Sequence, residues 1–425
     1  MELMKMIQKY VKPHILQYIK IIRHRIKNPL VWKMLSGLEQ IVMGGRYRII
    51  VIKRITQIIG FYRLSPYRPK GIISSFESWL EDSIPPQMEG SCIKKIIPEH
   101  SSYLKKPNHI NNEVHPNFID CMKSSLLTKS YLCLLKNASI VDEKGIIISY
   151  DEKVYTEFNF ENDDFAKKSD VFKSYINKPE FKKECLASIA SNAYSNTFHW
   201  TFDVLPRLKL FENILDDIDY LIVPDKLSKF QLDSLTHLGL SESNLLKLKN
   251  GTHLQCEKLF AASFPRKKGH VSKWACEFLR ESFIPKNTEK PYRFIYISRK
   301  DAFFRRITNE EKVENYLISL GFEIIQMSKL SFMEQIRIFA EARVVVGPHG
   351  AGLTNIVFCQ NAKILEIFSP SYVPTMYWMI SNNVGNEYYY LLGEDEPGNT
   401  HPEWKNFTID MSMFKQTMKM MLEDI

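Results

Sequence analysis

Five short apolar runs in the last third of this 425-residue chain constrain its fold more than any other feature. The runs "YRFIYIS" (292–298), "FEIIQM" (322–327), "RVVVG" (343–347), "KILEIF" (363–368) and "EYYYLL" (387–392) read as buried strands. Helical stretches at 308–320, 331–342, 351–359 and 375–382 separate them, and another at 410–423 closes the chain. Parallel neighbours need a crossover, so this alternation predicts a parallel, doubly wound sheet. The same rhythm begins earlier, with a strand at "DYLIVPD" (219–225), a helix over 227–238, a strand at "KLFAAS" and an amphipathic helix over 270–283.

Between these two units, Pro265 and the basic "RKKGH" read as a linker. Residues 71–125, punctuated by Pro85-Pro86, Pro98, Pro107 and Pro116, read as irregular. The stretch "SYLCLLKNASIVDEKGIIISYDEKVYTEF" reads as β-branched strands broken at Glu143-Lys144-Gly145 and Asp151-Glu152. The expected organisation is an α/β chain of three parts: a basic helical extension (1–70), an α/β domain (71–265) and a Rossmann-like domain (266–425). A cleft between two such units is the natural active site.

Charge sets the extension apart. Residues 1–70 hold 15 Lys/Arg against Glu2 and Glu39, whereas the remainder carries 42 basic and 46 acidic groups. Nucleic-acid binding is not expected, because phosphate neutralisation needs a broad basic face. Met4, Ile7, Val11, Ile15, Tyr18 and Ile22 recur at helical spacing, with Lys5, Lys9, Lys12 and Lys20 between them. Neither this stretch nor "RYRIIVIKRITQIIGFYRL" has the roughly 18 uninterrupted apolar residues a bilayer span requires. Basic amphipathic helices suit an anionic membrane surface, the alternative being a hairpin packed on the domain. The seven cysteines show no CxxC pair or metal spacing, and no signal-type h-region follows the first charges. The expected setting is the cytoplasm, on the inner face of the membrane.

Four segments carry chemistry. In "RVVVGPHGAGLTN" a strand enters a glycine turn and then a helix, which offers unpaired N–H groups and a helix dipole to an anion. His349 adds a donor, and Gly350, Ala351 and Gly352 would let a phosphate approach; neither GxGxxG nor GxxxxGK[ST] occurs. A tight turn with a half-buried histidine is the alternative. In "KILEIF", Glu366 sits in an apolar strand and needs a partner, either ribose hydroxyls or an internal salt bridge. In "ISRKDAFFRRITNEE", Arg299, Arg305 and Arg306 follow a strand where arginines clamp diphosphates bidentately, Arg299 being nearest the strand end; surface charge is the alternative. In "SNTFHWTFDVLPRL", a helix would align His199, Asp203 and Arg207, with Trp200 beside them and a kink at Pro206. His199 and Asp203 together could supply a general base, or Asp203 could merely pair with Arg207. Asp217-Ile218-Asp219 matches a D-x-D metal pattern but precedes its strand, so it reads as a solvated loop.

Taken together, "FHWTFDVLPRL", "YISRKDAFFRRITNEE" and "VVVGPHGAGLTNIVF…KILEIF", with "YLCLLKNASIV…GIIIS" before them, resemble glycosyltransferase family 61 over roughly residues 125–395. The resemblance implies a GT-B-like fold, two Rossmann-like domains facing a cleft. It implies inverting transfer from a nucleotide sugar, expected to be UDP-linked, without a metal or other cofactor. Arg299, Arg305, His349, Gly350, Ala351, Gly352 and Glu366 would face the donor. His199 and Asp203 would be catalytic, Asp203 being the first choice of base, and Trp200 and Arg207 would lie on the acceptor side. The chain looks most like the bacterial branch that builds capsular or other surface polysaccharides, with a glycan or lipid-linked saccharide as acceptor. The rival reading is a non-catalytic nucleotide- or sugar-binding scaffold.

Overall fold

Chain order first lays down nine strands of one mixed sheet: β1 (Gly71–Ile73), β2 (Cys92–Ile97), β3 (Ser130–Val141), β4 (Ile146–Ile148), β5 (Lys153–Tyr155), β6 (Glu180–Ser188), β7 (Tyr220–Pro224), β8 (Leu245–Leu248) and β9 (His253–Ala262). The structure is a computed structural model that describes residues 65–423 apart from 83, 99–103, 124–128, 160–161, 173–175, 267–269, 287–289 and 399. Nearly all of the basic extension, and the membrane-binding helices expected there, lie outside the described residues. Tyr67–Phe172 and Ile176–Ile425 make one compact unit; the second unit, Met1–Pro66 with Lys173–Tyr175, falls almost wholly among the undescribed residues.

The lateral order of the first sheet is β1-β5-β4-β3-β9-β6-β7-β8, with β2 also on β3. Here the Rossmann-like expectation needs correction. β3 runs antiparallel to β2, β4 and β9; β9, β6, β7 and β8 run parallel to one another, and so do β1 and β5 at the far edge. For β3, β4 and β5 the reason is loop length. The turns after β3 and β4 are a few residues long, enough for a hairpin and too short for a crossover. Gly145 closes the first of them at φ +64°, where a Cβ would lie 2.3 Å from that of Ala190. The stretch read as irregular also contains β2 and the helices Phe76–Asp82 and Pro116–Lys123.

The five C-terminal runs become β10 (Arg293–Ile297), β11 (Glu323–Ile325), β12 (Ala342–Pro348), β13 (Lys363–Phe368) and β14 (Glu387–Leu392), all parallel in the order β11-β10-β12-β13-β14. Helices Glu310–Ser319, Phe332–Ala340 and Met411–Leu422 and a 3₁₀ helix, Ala351–Phe358, fall within the segments expected to be helical, and Met376–Val384 overruns its segment by two residues. Val344, Val345, Val346, Ile364 and Leu365 have no accessible surface, as parallel strands covered on both faces require. From β10 the chain turns first to β11 on one side and then to β12 on the other. That reversal is a topological switch point, where open α/β sheets bind ligands beyond the strands' carboxyl ends.

The two sheets share a core. Phe332 meets Phe230 edge-on at 4.9 Å and Phe283 at 5.1 Å, between ring centroids. A strap from the first part crosses to the second sheet: Asn108 bridges Tyr389, Trp378 Nε1 donates to Lys105 O at 2.9 Å and Asn117 Nδ2 to Val373 O at 2.8 Å. Among the described residues no helix is long and apolar enough to cross a membrane.

Candidate active site

The carboxyl ends of β6 and β9, parallel neighbours in the first sheet, deliver one half of the site. Beyond β6, Asn196 caps a short helix, its Oδ1 accepting from the backbone N–H of Phe198 at 2.9 Å. The helix Thr197–His199 widens into a π turn at Trp200–Val204 and restarts as a 3₁₀ turn at Leu205–Arg207. Pro206, which has no N–H to continue the ladder, accounts for the break. π turns of this kind recur at functional sites. Through the turn His199 and Asp203 still meet, Nδ1 to Oδ2 at 2.7 Å.

Beyond β9 comes Arg266, which grips the same carboxylate with two donors, Nε to Oδ1 at 2.5 Å and Nη2 to Oδ2 at 3.0 Å. Its Nη2 is also 3.0 Å from His199 Nδ1. Asp203 has no accessible surface and the Arg266 side chain is 3% exposed, whereas His199 keeps 30%. Burial alone would push the Asp203 carboxyl up; Arg266, followed by His199, holds it below its ordinary 3.8. It is therefore ionised, accepts the His199 Nδ1–H, and leaves Nε2 of His199 as the acceptor on the open side. Arg266 had been read as part of a basic linker, although its place between Pro265 and Lys267 marks it as following a strand.

Arg207 does not join this cluster as an ion-pair partner. The π and 3₁₀ turns rotate it into the core, where Nη1 donates to Phe158 O at 3.2 Å and the guanidinium lies 4.4 Å from the Phe264 ring. Burial lowers its pKa to about 10, so it stays charged at neutral pH. Trp200 is fully buried and donates through Nε1 to Ser234 Oγ at 2.9 Å. Both expected acceptor-side residues are thus core groups, a correction that the altered helical twist explains for Arg207 and the Ser234 partner for Trp200.

The other half sits at the switch point, His349 one residue past β12 and Arg299 two residues past β10. Gly350 is extended, and the space its missing side chain leaves is filled by Arg299: a Cβ there would lie 1.8 Å from Nη1. Gly352 leaves room for Ile297, 2.8 Å from such a Cβ. The glycines therefore seat side chains, and an anion would meet Arg299 rather than the bare backbone of Gly350. Burial, then the neighbouring Arg305, lowers the Arg299 pKa to about 10. Nε of each of these arginines is buried without a hydrogen-bond partner. Arg305 itself adopts φ +56° and donates from Nη1 to Glu403 O at 2.8 Å.

His349 and Glu366 are a buried couple, Nδ1 to Oε1 at 2.5 Å, and Tyr388 donates to the other carboxyl oxygen at 2.5 Å. Burial holds the Glu366 carboxyl well above its ordinary range; burial, then Arg305 and Arg299, hold the His349 imidazole well below. A neutral couple in which Oε1–H donates to Nδ1 leaves His349 Nε2–H as a donor. Glu366 was expected on ribose hydroxyls. Its oxygens are taken by His349 and Tyr388 and it has no accessible surface, so it acts through His349.

The halves touch through aromatic rings. Phe198 meets Tyr377 edge-on at 5.9 Å, Tyr377 lies 5.3 Å from the His349 ring, and Tyr377 donates to Gly350 O at 2.8 Å. Asp219 of the D-x-D segment accepts from the Cys185 N–H at 2.7 Å, and Asp217 is exposed. Among the described residues no three His, Cys, Asp or Glu side chains are grouped to hold a metal.

With the geometry in view, the family match falls on the same residues. The family model described as Glycosyltransferase 61 matches residues 197–365, from the start of the His199 helix to the residue before Glu366. A beta-1,2-xylosyltransferase of Oryza sativa subsp. japonica, RCN11, is 27% identical over 196 residues, 39% of this chain. The match spans 34%, about a third, of that protein's length. A solved structure of the dodecameric iron-containing heptosyltransferase TibC, in complex with ADP-D-beta-D-heptose, covers 75% of this chain and 87% of its own. It aligns at 10% identity and a TM-score of 0.28, too remote to bear on the fold.

Proposed function

From a chain that carries a Glycosyltransferase 61 domain over residues 197–365, we propose an enzyme that transfers a sugar, with inversion, from a nucleotide-sugar donor to a glycan or lipid-linked saccharide. One observation carries the reading: a histidine oriented by a buried, arginine-held aspartate faces, across two aromatic rings, an arginine seated on a glycine turn. In this reading the two sheets are the halves of a GT-B-like pair with the reaction between them. UDP is the expected nucleotide. The expected setting is surface or capsular polysaccharide synthesis in a bacterium, at the inner face of the membrane, with the basic extension on anionic lipid.

The roles of the two base candidates exchange relative to the sequence reading. Asp203 has both oxygens engaged and no access to solvent, so it positions the imidazole. Nε2 of His199 takes the proton of the acceptor hydroxyl. The oxygen attacks the anomeric carbon in line, the bond from that carbon to the diphosphate oxygen breaks, and the nucleoside diphosphate leaves with the electron pair. Its charge is met by Arg299, by His349 Nε2–H and by the N–H groups opening the helix Ala351–Phe358. Fixed donors of this kind perform the task a metal performs elsewhere, which supports a reaction without one.

The experiment is an assay of nucleoside-diphosphate release from a panel of nucleotide sugars, with and without saccharide acceptors. Acceptor-dependent release supports the enzyme; tight binding without release favours the scaffold. Arg299→Ala is expected to raise the Kd for UDP about 10- to 100-fold by calorimetry, the range for a lost charged hydrogen-bonding group. Unchanged affinity would remove the clamp. Gly350→Ala displaces the Arg299 guanidinium, so its UDP affinity should fall toward that of Arg299→Ala while the melting temperature changes little. An unaltered Kd in that variant would show that the seat is not needed.

A further inference from the structure

The loop that brings Arg299 and Arg305 to the site also carries two phenylalanines that the mechanism does not use. Phe303 is 88% exposed, Phe304 45%, and Trp404 from the facing turn 48%. Phe304 and Trp404 stack at 5.3 Å with 21° between their planes, and His401 lies 5.1 Å from Trp404. Among the described residues no other two exposed rings are stacked together. Exposed aromatic surface gathered in one place marks a binding surface rather than chance.

Position says what would bind. The arginines tie down both sides of the stack: Arg299 Nη2 donates to Phe304 O at 3.0 Å, and Arg305 Nη1 to the O of Glu403, the residue before Trp404, at 2.8 Å. The two loops are zipped together, Arg306 N–H donating to Asn406 Oδ1 at 3.0 Å and Phe407 N–H to Arg306 O at 3.1 Å. Arg305 keeps a left-handed backbone at φ +56°, a conformation that persists for a branched or long side chain only where its surroundings impose it. The ledge is therefore preformed.

Ring contacts set the order along the site. From His199 and Phe198 the path runs to Tyr377 and His349. It continues to Tyr372, 5.4 Å from His349, and to Arg305, 5.6 Å from the Tyr372 ring, and ends at the Phe304–Trp404 stack. A donor with its sugar toward His199 and its diphosphate on the arginines has one part left over, on the ledge side.

We propose that Phe304 and Trp404 are the stacking platform for the base of the donor's nucleoside diphosphate. The inference rests on the nucleotide-sugar reading of the site. Every nucleobase has a π face, so the platform supplies affinity with little choice among bases. Phe303, the most exposed ring, precedes Phe304 in the chain.

The test is calorimetric titration of the full chain with UDP, ADP and inorganic pyrophosphate. Trp404→Ala and Phe304→Ala should each weaken UDP and ADP about tenfold, the size of a lost base–aromatic stack, and leave pyrophosphate binding unchanged. Trp404→Phe should restore most of the affinity, and UDP should quench the emission of the wild type more than that of Trp404→Phe. Arg299→Ala should weaken all three ligands. Wild-type binding of UDP matched by both alanine variants would overturn the platform and leave the site reading intact. A wild type that binds none of the three would overturn the nucleotide reading and the platform with it. Variants that lose saccharide-acceptor or vesicle binding but keep UDP affinity would assign the ledge to that partner and overturn the proposal.

Discussion

His199→Gln should lower kcat by about 10²- to 10⁴-fold, the usual contribution of a general base, while the Kd for UDP and the melting temperature stay near wild type. The expectation rests on how the imidazole is held. Nδ1 is fixed on Asp203 at 2.7 Å, the ring is 30% exposed, and Nε2 is the nitrogen left to take a proton. Glutamine keeps an amide to meet Asp203 and removes the basic nitrogen, so the defect should sit in turnover rather than in folding. Asp203→Asn should lower kcat by a comparable factor, because an amide orients the ring less firmly and does not stabilise the imidazolium that forms. The two differ in stability: Asp203→Asn also leaves Arg266 buried with its charge unopposed, so its melting temperature should fall. Near-normal turnover in both variants would remove His199 and Asp203 from the chemistry.

Arg266→Leu should be the most destabilising single change at the site. It strips the fully buried Asp203 carboxylate of its bidentate partner, and breaking a buried pair from one side costs about 3–5 kcal/mol. In a unit of this size that corresponds to a fall of about 4–7 °C in the melting temperature. Removing both charges, Asp203→Leu with Arg266→Leu, should recover much of the loss while the enzyme stays inactive, since well-packed apolar groups often replace a buried pair without penalty. pH gives an independent reading. Asp203 titrates below its ordinary 3.8 in the folded chain, so its contribution is present above about pH 4 and is lost as pH falls through the lower folded value. In Arg266→Leu burial is opposed by His199 alone, and where burial wins the folded value rises and the sign reverses: that variant should lose stability as pH rises from 4 toward neutrality. Equal melting temperatures for wild type and Arg266→Leu across that range would show that the pair carries no structural weight.

The C-terminal sheet was legible because runs such as "RVVVG" and "KILEIF" are apolar on both faces and are spaced by whole helices, a pattern that only a covered parallel sheet satisfies. The first sheet was less so. Alternation along β3 reveals a strand and says nothing about the direction of β2 or β9 beside it, which turn length and distant pairing decide. His199 and Asp203 were readable because a four-residue spacing puts them side by side on a helix, and they stay together across the π turn. Arg207 and Trp200 were not, since the same turn redirects everything after Asp203 and Trp200 had a hydroxyl partner, Ser234, 34 residues away. Arg266 shares no local pattern with Asp203, 63 residues before it; only the pairing of β6 with β9 brings them together. The role of Gly350 was half legible: the need for a residue without a side chain was visible, but not that Arg299 is what occupies the space.

The measurement that tests the central claim most directly is a crystal structure of the full chain with an intact nucleotide sugar. The diphosphate should contact Arg299 and the N–H groups beyond His349, with the anomeric carbon turned toward His199 Nε2 and its α or β bond to the diphosphate pointing away from it. A diphosphate bound elsewhere, or a sugar on the far side of the arginines from His199, would contradict it.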